Sequence, residues 1–326
     1  DVEQHVLEVI FGAAAADGHA DEVRLVEEAE AALDEAAHGR EVVSHVVEAG
    51  GCVDAALLAD LSRAIDNDEF FLLYQPKVHL RRQEISSAEA LIRWQHPTRG
   101  LILPGEFIPA IEEGRLIDRM TLWTIERALA DRRRLAAAGH ELRIFVNISG
   151  QLLADEAFVR SACTMVGDDA ETIGFEVTET SVILDPLSAI ANLQRFADLG
   201  IRIAIDDYGA GLSSLAYLKQ LPATELKIDK LFVTQLTSSN RDPLIVRSTI
   251  DLAHALDMEV VAEGVEAHAA MALLTVMGCD MAQGFLISRP ITLDALIGFL
   301  GEDVHRALPD TSLASFSRLA GAWKRS

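Results

Sequence analysis

Side chains that could ligate a metal ion or transfer a proton lie at or near the ends of the apolar segments of this chain. Most are carboxylates or carboxamides, and neither cysteine nor histidine belongs to the set. Oxygen donors of this kind suit Mg²⁺ or Mn²⁺ better than zinc. The residues are Glu89, Arg93, Asn147, Glu176, Glu179, Asp206, Asp207, Lys227, Asp229, Glu263, Glu266 and Gln283.

The adjacent Asp206 and Asp207, which follow the apolar run IRIAI, suggest a pair of metal ions. Neighbouring side chains on a straight strand point to opposite faces, so both carboxylates can face one site only if the backbone bends. Gly209 and Gly211 would let the chain turn there without a Cβ clash. Two metals about 3.5–4 Å apart form the clamp used in phosphoester hydrolysis. The pair therefore predicts metal-dependent hydrolysis of a phosphorylated ligand.

That chemistry also needs a carboxylate that can take a proton from the attacking water and a cation that stabilises the developing charge. Glu263 and Lys227 are the candidates for these two roles. Arg93 could bind a substrate phosphate through its planar, forked guanidinium.

Single members of the set also have structural interpretations. Asn147 could cap the helix that follows it, and Glu179 or Glu266 could bridge a neighbouring backbone segment. The convergence of the whole set favours the metal site over these alternatives.

The elements that must position these residues alternate between strand and helix from about residue 60 onward, which is the signature of an α/β fold. Helical patterns cover residues 118–139, residues 186–200 and residues 242–257. The strand-like runs are FFLLYQPKVHL, EISSAEALIRW, LRIFVNIS, TIGFEVTE, IRIAIDD, ELKID, MEVVAEG and DMAQGFLIS. Eight strands with helical crossovers predict a (β/α)8 TIM-like barrel, whose active site lies at the C-terminal strand ends.

The first two predicted strands are joined only by the polar residues RRQE. This connection is too short for a parallel crossover and fits a hairpin. We therefore expect the first strand to run antiparallel to the others.

The two ends of the chain differ from this pattern. Residues 1–57 read as one strand, one helix and one strand, which is too little to bury a core alone. We expect the barrel to occupy residues 58–300. Residues 301–326 place Leu313, Phe316 and Leu319 at helical spacing and read as a terminal helical tail, or as a partner-binding or linker segment.

Composition limits the partners. The chain has 28 Lys and Arg against 51 Asp and Glu, a formal net charge of −23. Such a charge repels nucleic-acid duplexes and anionic membranes, so neither is expected as a partner. A phosphorylated ligand would need metal ions or a local basic pocket.

The expected location is the cytoplasm. Cys52, Cys163 and Cys279 show neither metal-ligand spacing nor a disulfide framework, which is typical of thiols in a reducing compartment. No run of 18 apolar residues and no signal-peptide pattern is present. Because the sequence begins at Asp1, we expect it to be a piece of a longer protein.

The segments that carry these residues resemble the EAL family of cyclic di-GMP phosphodiesterases over about residues 58–300. The name motif is present as Glu89, Ala90 and Leu91. Around it, in the order of the family, stand YQPK, GEFIPAIEE, VNIS, FEVTET, AIDDYGAGLSSL, LKIDK, VVAEGVE and QGFLISRP.

The resemblance implies hydrolysis of cyclic di-GMP to linear pGpG with two divalent metal ions, Mg²⁺ or Mn²⁺. It implies Lys227 as a contact of the nucleophilic water and Glu263 as the general base. Glu179 and Glu266 are implied in supporting positions, with Glu266 holding the loop after the fifth strand. The implied ligands are Glu89, Asn147, Glu176 and Asp206 for one metal and Asp207 and Asp229 for the other. The implied substrate contacts are Gln75, Leu91, Arg93 and Gln283.

The resemblance also implies a homodimer, because in this family the loop after the fifth strand couples metal binding to dimerisation. That loop reads DYGAGL where DFGTGY is common, and Lys77 replaces an aliphatic residue. A cyclic di-GMP receptor with little turnover is the alternative function, and a scaffold that has lost the ligand is a third. Residues 1–57 resemble the end of a GGDEF domain, with a helical linker as the alternative.

Overall fold

The computed structural model describes residues 12–16, 43–47, 55–179, 186–209, 215–237 and 242–301. The chain divides into two compact units, Asp1–Arg63 and Ala64–Ser326. In the first unit, strands β1 (Gly12–Ala16) and β2 (Val43–Val47) pair in parallel. The helix predicted between them and the predicted C-terminal tail lie outside the described residues.

A closed barrel of eight strands forms the second unit. Its neighbours are hydrogen-bonded in the order β3, β11, β10, β9, β8, β7, β6 and β4, and β4 pairs back to β3. A short additional strand, β5 (Gly100–Ile102), pairs with β4 only. The barrel strands are β3 (Phe70–His79), β4 (Glu84–His96), β6 (Arg143–Asn147), β7 (Ile173–Thr178), β8 (Arg202–Tyr208), β9 (Glu225–Ile228), β10 (Glu259–Ala262) and β11 (Met281–Ala282). The predicted barrel is confirmed.

Strand β3 runs antiparallel to both of its neighbours, β4 and β11, as predicted from the short connection. A tight turn joins β3 to β4, in which the Gln83 N–H donates to His79 O at 2.8 Å. The other barrel pairs are parallel, so those strands bring their C-terminal ends to one rim.

Helices cover the outside of the barrel strands, and the predicted helical patterns are confirmed. The helix over residues 186–198 is followed by Gly200, whose φ of 98° favours glycine. The helices are α1 (Ala55–Asp66), α2 (Pro104–Glu113), α3 (Ile117–Ala137), α4 (Gly150–Leu153), α5 (Glu156–Val166), α6 (Pro186–Asp198), α7 (Leu215–Leu218), α8 (Lys230–Thr234), α9 (Asp242–Ala255), α10 (His268–Met277) and α11 (Leu293–Gly301).

The last barrel strand is much shorter than predicted. The run DMAQGFLIS has strand pairing only at Met281 and Ala282, and the Ile287 N–H then closes a turn onto Gly284 O at 3.0 Å. A Cβ on Gly284 would lie 2.2 Å from Val265 O. The close passage past Val265 ends the strand.

The barrel strands are buried between the interior and the helices. Ile203, Ala204 and Ile205 of β8 are all buried, which explains why this strand reads as a continuous apolar run until Asp206. Among the described residues, Cys163 and Cys279 are free thiols. Within the same part of the chain, every helix is too short or too polar to cross a membrane.

Candidate active site

Lys227 lies at the centre of a cluster that the strand ends bring together. Its side chain is fully buried on β9, and Nζ lies 2.5 Å from Glu176 Oε2 and 2.8 Å from Asp206 Oδ2. The same ammonium lies 2.7 Å from Glu263 Oε1 and 3.7 Å from Glu89 Oε2. Carboxylates from β4, β7, β8 and the segment after β10 therefore meet around one cation.

Amide side chains orient Glu89. Asn147 Nδ2, at the end of β6, donates to Glu89 Oε1 at 2.8 Å. Gln283 Nε2 donates to Glu89 Oε2 at 2.7 Å and to Gln75 Oε1 at 3.1 Å. Gln75 Nε2 in turn donates to Ser288 O at 3.1 Å. These contacts place Asn147 in the cluster, with its amide directed to Glu89.

Asp206 and Asp207 both reach the cluster because the backbone bends at Asp207. This residue has a φ of 55°, which is uncommon outside glycine, and the pairing of β8 with β9 shifts register between Ile205 and Tyr208. The Asp207 N–H donates to Asp206 Oδ1 at 2.8 Å. Carboxylate oxygens of Asp206, Asp207 and Glu263 all lie within 4.8 Å of one another.

The predicted bend is therefore present, but it lies at Asp207, two residues before Gly209, the first of the glycines that were expected to allow it. Strand β8 continues through Tyr208, with the irregularity inside the strand. Gly209 does adopt the expected left-handed region, with a φ of 101°. Gly211 lies outside the described residues.

The three remaining acids differ in their surroundings. Asp229 caps α8, since its Oδ1 accepts from the Leu231 N–H at 2.6 Å. Glu179 Oε2 accepts from the Gly209 N–H at 3.3 Å, so Glu179 bridges a neighbouring backbone as the structural interpretation held. Glu266 is exposed, and residues 210–214, the loop it was predicted to hold, lie outside the described part of the chain.

Burial and charge shift the ionisation of the cluster. Burial raises the pKa of the Glu263 carboxyl to about 7, although Lys227 opposes the shift. Partial burial, Asp206 and Asp229 raise the pKa of Asp207 to about 6. Burial alone would also raise the pKa of Glu176, but Lys227 and a second lysine lower it to about 2. The two lysines therefore favour the ionised form of Glu176.

The predicted substrate contacts line the same rim. Leu91 borders a cavity of about 290 Å³ together with Asn147 and Glu176. Arg93 is half-buried, and its Nη1 donates to Ile92 O at 2.8 Å. Burial lowers the pKa of Arg93, and Glu89 opposes that shift. Gln75 and Gln283 belong to the amide network, so the predicted contacts lie beside the acids.

The donor set fits divalent cations of the Mg²⁺ or Mn²⁺ type. Its members are oxygen ligands, and the buried acids carry more negative charge than Lys227 can offset. Gln283 Oε1 is also a buried acceptor without a hydrogen-bond partner among the described residues. The carboxylate and amide side chains that could hold such cations are Glu89, Asn147, Glu176, Asp206, Asp207 and Asp229.

Sequence reasoning did not assign a role to two residues that contact this cluster. Lys77 on β3 is fully buried with Nζ 2.7 Å from Glu176 Oε1, and Glu225 on β9 lies 3.4 Å from the same ammonium. Burial would lower the pKa of Lys77, but Glu176 and Glu225 raise it overall. The sequence did contain a signal for Glu225, because it stands two residues before Lys227 and therefore lies on the same face of β9.

Comparison with known proteins identifies relatives of this barrel. Residues 58–290 match the family described as EAL domain. An uncharacterized protein of Mycobacterium tuberculosis is 41% identical over 258 residues, covering 78% of this chain and 41% of that protein. The cyclic di-GMP phosphodiesterase NbdA of Pseudomonas aeruginosa is 40% identical over 245 residues, covering 74% of this chain and 31% of NbdA.

A solved structure shares the architecture. The PaMucR phosphodiesterase in complex with c-di-GMP has a TM-score of 0.70 and 38% identity to this chain, covering 74% of this chain and 99% of that structure. The sequence relatives are longer, since this chain spans 41% and 31% of their lengths.

Proposed function

The chain belongs to the EAL domain family, and on that premise we propose that it is a cyclic-guanylate-specific phosphodiesterase that hydrolyses cyclic di-GMP to linear pGpG. The observation that carries this proposal is the cluster of carboxylates around the buried ammonium of Lys227. The names of NbdA and of the PaMucR complex support the choice of substrate.

Two divalent cations, Mg²⁺ or Mn²⁺, belong to this proposal as cofactors. Bound cations would supply charge stabilisation for the phosphoryl oxygens and make water more acidic. We assign Glu89, Asn147, Glu176 and Asp206 to the first cation. Asp207 and Asp229 serve the second, with Asp229 contributing the oxygen that does not cap α8.

In the proposed reaction Glu263 is the general base. Its carboxylate accepts a proton from a water molecule whose oxygen forms a new bond to phosphorus. The P–O bond to the ribose 3′ oxygen breaks, and that oxygen takes a proton from solvent water and leaves as the 3′ hydroxyl of pGpG. Lys227 holds Glu263 at 2.7 Å and contributes positive charge beside the reacting phosphate.

The substrate is held by the polar and apolar groups of the rim. Arg93 supplies a guanidinium that suits a phosphate, and Leu91 supplies apolar contact at the mouth of the neighbouring cavity. Gln75 and Gln283 complete the contacts through the amide network that also orients Glu89. Glu179 and Glu266 are supporting residues, and Glu179 anchors the backbone at Gly209.

The test is a product assay with cyclic di-GMP and a titration of Mg²⁺ and Mn²⁺. We expect pGpG from the unaltered chain. Glu263→Gln should lower turnover by at least about a hundredfold, because it removes the general base, and should leave binding intact. Glu113→Gln, a change at an exposed position on α2, is the matched control and should retain full turnover.

The outcomes separate the candidate functions. Tight binding of cyclic di-GMP without turnover in the unaltered chain would favour the receptor. Normal turnover in Glu263→Gln would remove Glu263 as the base. Absence of both binding and turnover would favour the scaffold.

We also propose that the chain forms a homodimer in the cytoplasm. Leu231 on α8 is 58% exposed, and Leu244 and Ile245 on the contacting helix α9 are 70% and 43% exposed. An apolar patch of this kind suits a second copy of the chain. Free thiols at Cys163 and Cys279 suit a reducing compartment.

A further inference from the structure

Glu176 is held by a lysine on each carboxylate oxygen. Lys227 Nζ lies 2.5 Å from Oε2 on the side of the cluster, and Lys77 Nζ lies 2.7 Å from Oε1. All three side chains are completely buried. In this pairing Lys77 takes the Glu176 oxygen that Lys227 leaves free.

Close packing fixes Lys77 in place. Its ammonium lies 3.8 Å from the centroid of the Phe145 ring and 3.4 Å from Glu225 Oε2. The ring of Phe145 lies directly against Gly174, where an added Cβ would be 2.3 Å from the ring. The Lys77 side chain therefore has an aromatic ring and a carboxylate around it besides Glu176.

We propose that Lys77 is a positioning residue that weakens cation binding through Glu176, because it occupies Oε1 and leaves a metal ion only Oε2, the oxygen that also accepts from Lys227. The inference rests on the proposed metal site and adds a residue that the ligand set does not contain. Lys77 contacts Glu176 directly and acts through it.

The physical reason is the charge of the ammonium. A fixed positive charge behind a carboxylate reduces the attraction that this carboxylate exerts on a cation in front of it. Glu225, on the other side of Lys77, compensates part of that charge. A carboxylate with one oxygen already engaged also has fewer lone pairs for metal ligation.

The experiment measures Mn²⁺ binding to metal-depleted protein by isothermal titration calorimetry, without nucleotide. Lys77→Met leaves Glu225 buried with less compensation and can impair folding, so the decisive variant is Lys77→Met/Glu225→Gln, which removes both charges. We expect this double variant to bind Mn²⁺ about tenfold more tightly than the unaltered chain.

Two control variants separate the role of Lys77 from general effects. Glu225→Gln keeps Lys77 on Glu176 and should bind Mn²⁺ no more tightly than the unaltered chain. Glu259→Gln removes a carboxylate that pairs with Arg202 at 2.9 Å and should bind with unchanged affinity. Urea denaturation of each variant checks that it is folded.

Unchanged or weaker Mn²⁺ binding by the folded double variant would overturn the inference, because a merely structural lysine would loosen Glu176 and weaken binding. Equal tightening in Glu225→Gln alone would also overturn it. If the unaltered chain binds no Mn²⁺, the proposed metal site fails and the inference fails with it. The calorimetric readout is independent of turnover.

Discussion

At the residue scale, the lack of a side chain at Gly174 leaves space inside the barrel for an aromatic ring. Gly174 on β7 leaves room for the ring of Phe145, and that ring lies against the ammonium of Lys77. A larger residue at position 174 would push the ring toward the buried charges. The glycine is therefore required by close packing between the neighbouring strands β6 and β7, where it is the register partner of Phe145.

We predict that Gly174→Ala destabilises the protein by about 1–3 kcal/mol, since overpacking of a closed core forces the ring and its neighbours to move. Urea denaturation measures the change in the free energy of unfolding. Gly105→Ala on α2, where an added Cβ meets nothing within 4 Å, is the control and should not destabilise. An unchanged midpoint for Gly174→Ala would contradict the packing argument.

Asp207 has a strained backbone conformation, since its φ of 55° lies in the left-handed region that favours glycine. Its carboxylate is what requires an aspartate there, because the bend aims it at the same cluster as Asp206 and Glu263. Sequence reasoning identified the need for a bend from the adjacent aspartates. It placed the turn at Gly209 and Gly211, because a sequence pattern cannot show that the pairing of β8 with β9 shifts register between Ile205 and Tyr208.

At the element scale, Asp280 joins β11 to three other elements at the end of the barrel where the strand begins. Its Oδ2 accepts from Val260 N–H of β10 at 2.9 Å and lies 2.7 Å from His254 Nε2 of α9. Its Oδ1 accepts from Arg81 at 3.1 Å. Because β11 has strand pairing at only two residues, this carboxylate adds side-chain hydrogen bonds to a short backbone attachment.

We predict that Asp280→Asn lowers the free energy of unfolding at pH 7 by about 2–3 kcal/mol, because charge-assisted hydrogen bonds are lost from a buried position. Burial alone would raise the pKa of Asp280, but the bonds from His254 and Val260 hold it below its usual value. The folded state therefore binds this proton less readily than the unfolded state.

The sign of the pH dependence follows from that direction. A lowered carboxyl pKa contributes stability above the unfolded pKa of about 3.9, and this contribution is lost as the pH falls through the folded value. The difference in stability between the unaltered chain and Asp280→Asn should shrink below about pH 4. Urea denaturation between pH 7 and pH 3 measures it, and a constant difference would contradict the assignment.

At the scale of the whole molecule, the homodimer proposal makes a prediction about α8 and α9. Leu244→Glu places a charge on the most exposed member of the patch and should raise the dimer dissociation constant by at least about tenfold. Analytical ultracentrifugation over a range of protein concentrations measures the change.

Leu187→Glu is the matched control. Leu187 on α6 is 83% exposed, so the change introduces the same charge on another helix and should leave the dimer intact. A monomeric unaltered chain at micromolar concentration would exclude the dimer. Equal dissociation in both variants would exclude α9 as the interface.

The division of the chain remains partly a prediction. Along the chain, the division into two compact units falls between Arg63 and Ala64, and the parallel pair β1 and β2 belongs to the first unit. Two interpretations stay predictions: that residues 1–57 are the end of a GGDEF-like domain, and that residues 301–326 are a helical tail. The barrel itself does not depend on either interpretation.

The sequence by itself determined the barrel, its antiparallel first strand and the convergence of the acids. Those conclusions rest on local information, since strand periodicity, loop length and the polar residue at each strand end can be read along the chain. Parallel strands then carry their ends to one rim, so Glu89, Glu176 and Asp206 had to be neighbours.

Only the tertiary structure decided which side chains meet across the barrel. Lys77 and Glu176 are 99 residues apart in sequence and 2.7 Å apart in space, and Lys77 and Glu225 are 148 residues apart. Alternation along a strand assigns a face to each residue, but the partner on the far side depends on closure and register of the whole sheet. The early end of β11 also depends on a tertiary contact, because Gly284 passes directly against Val265.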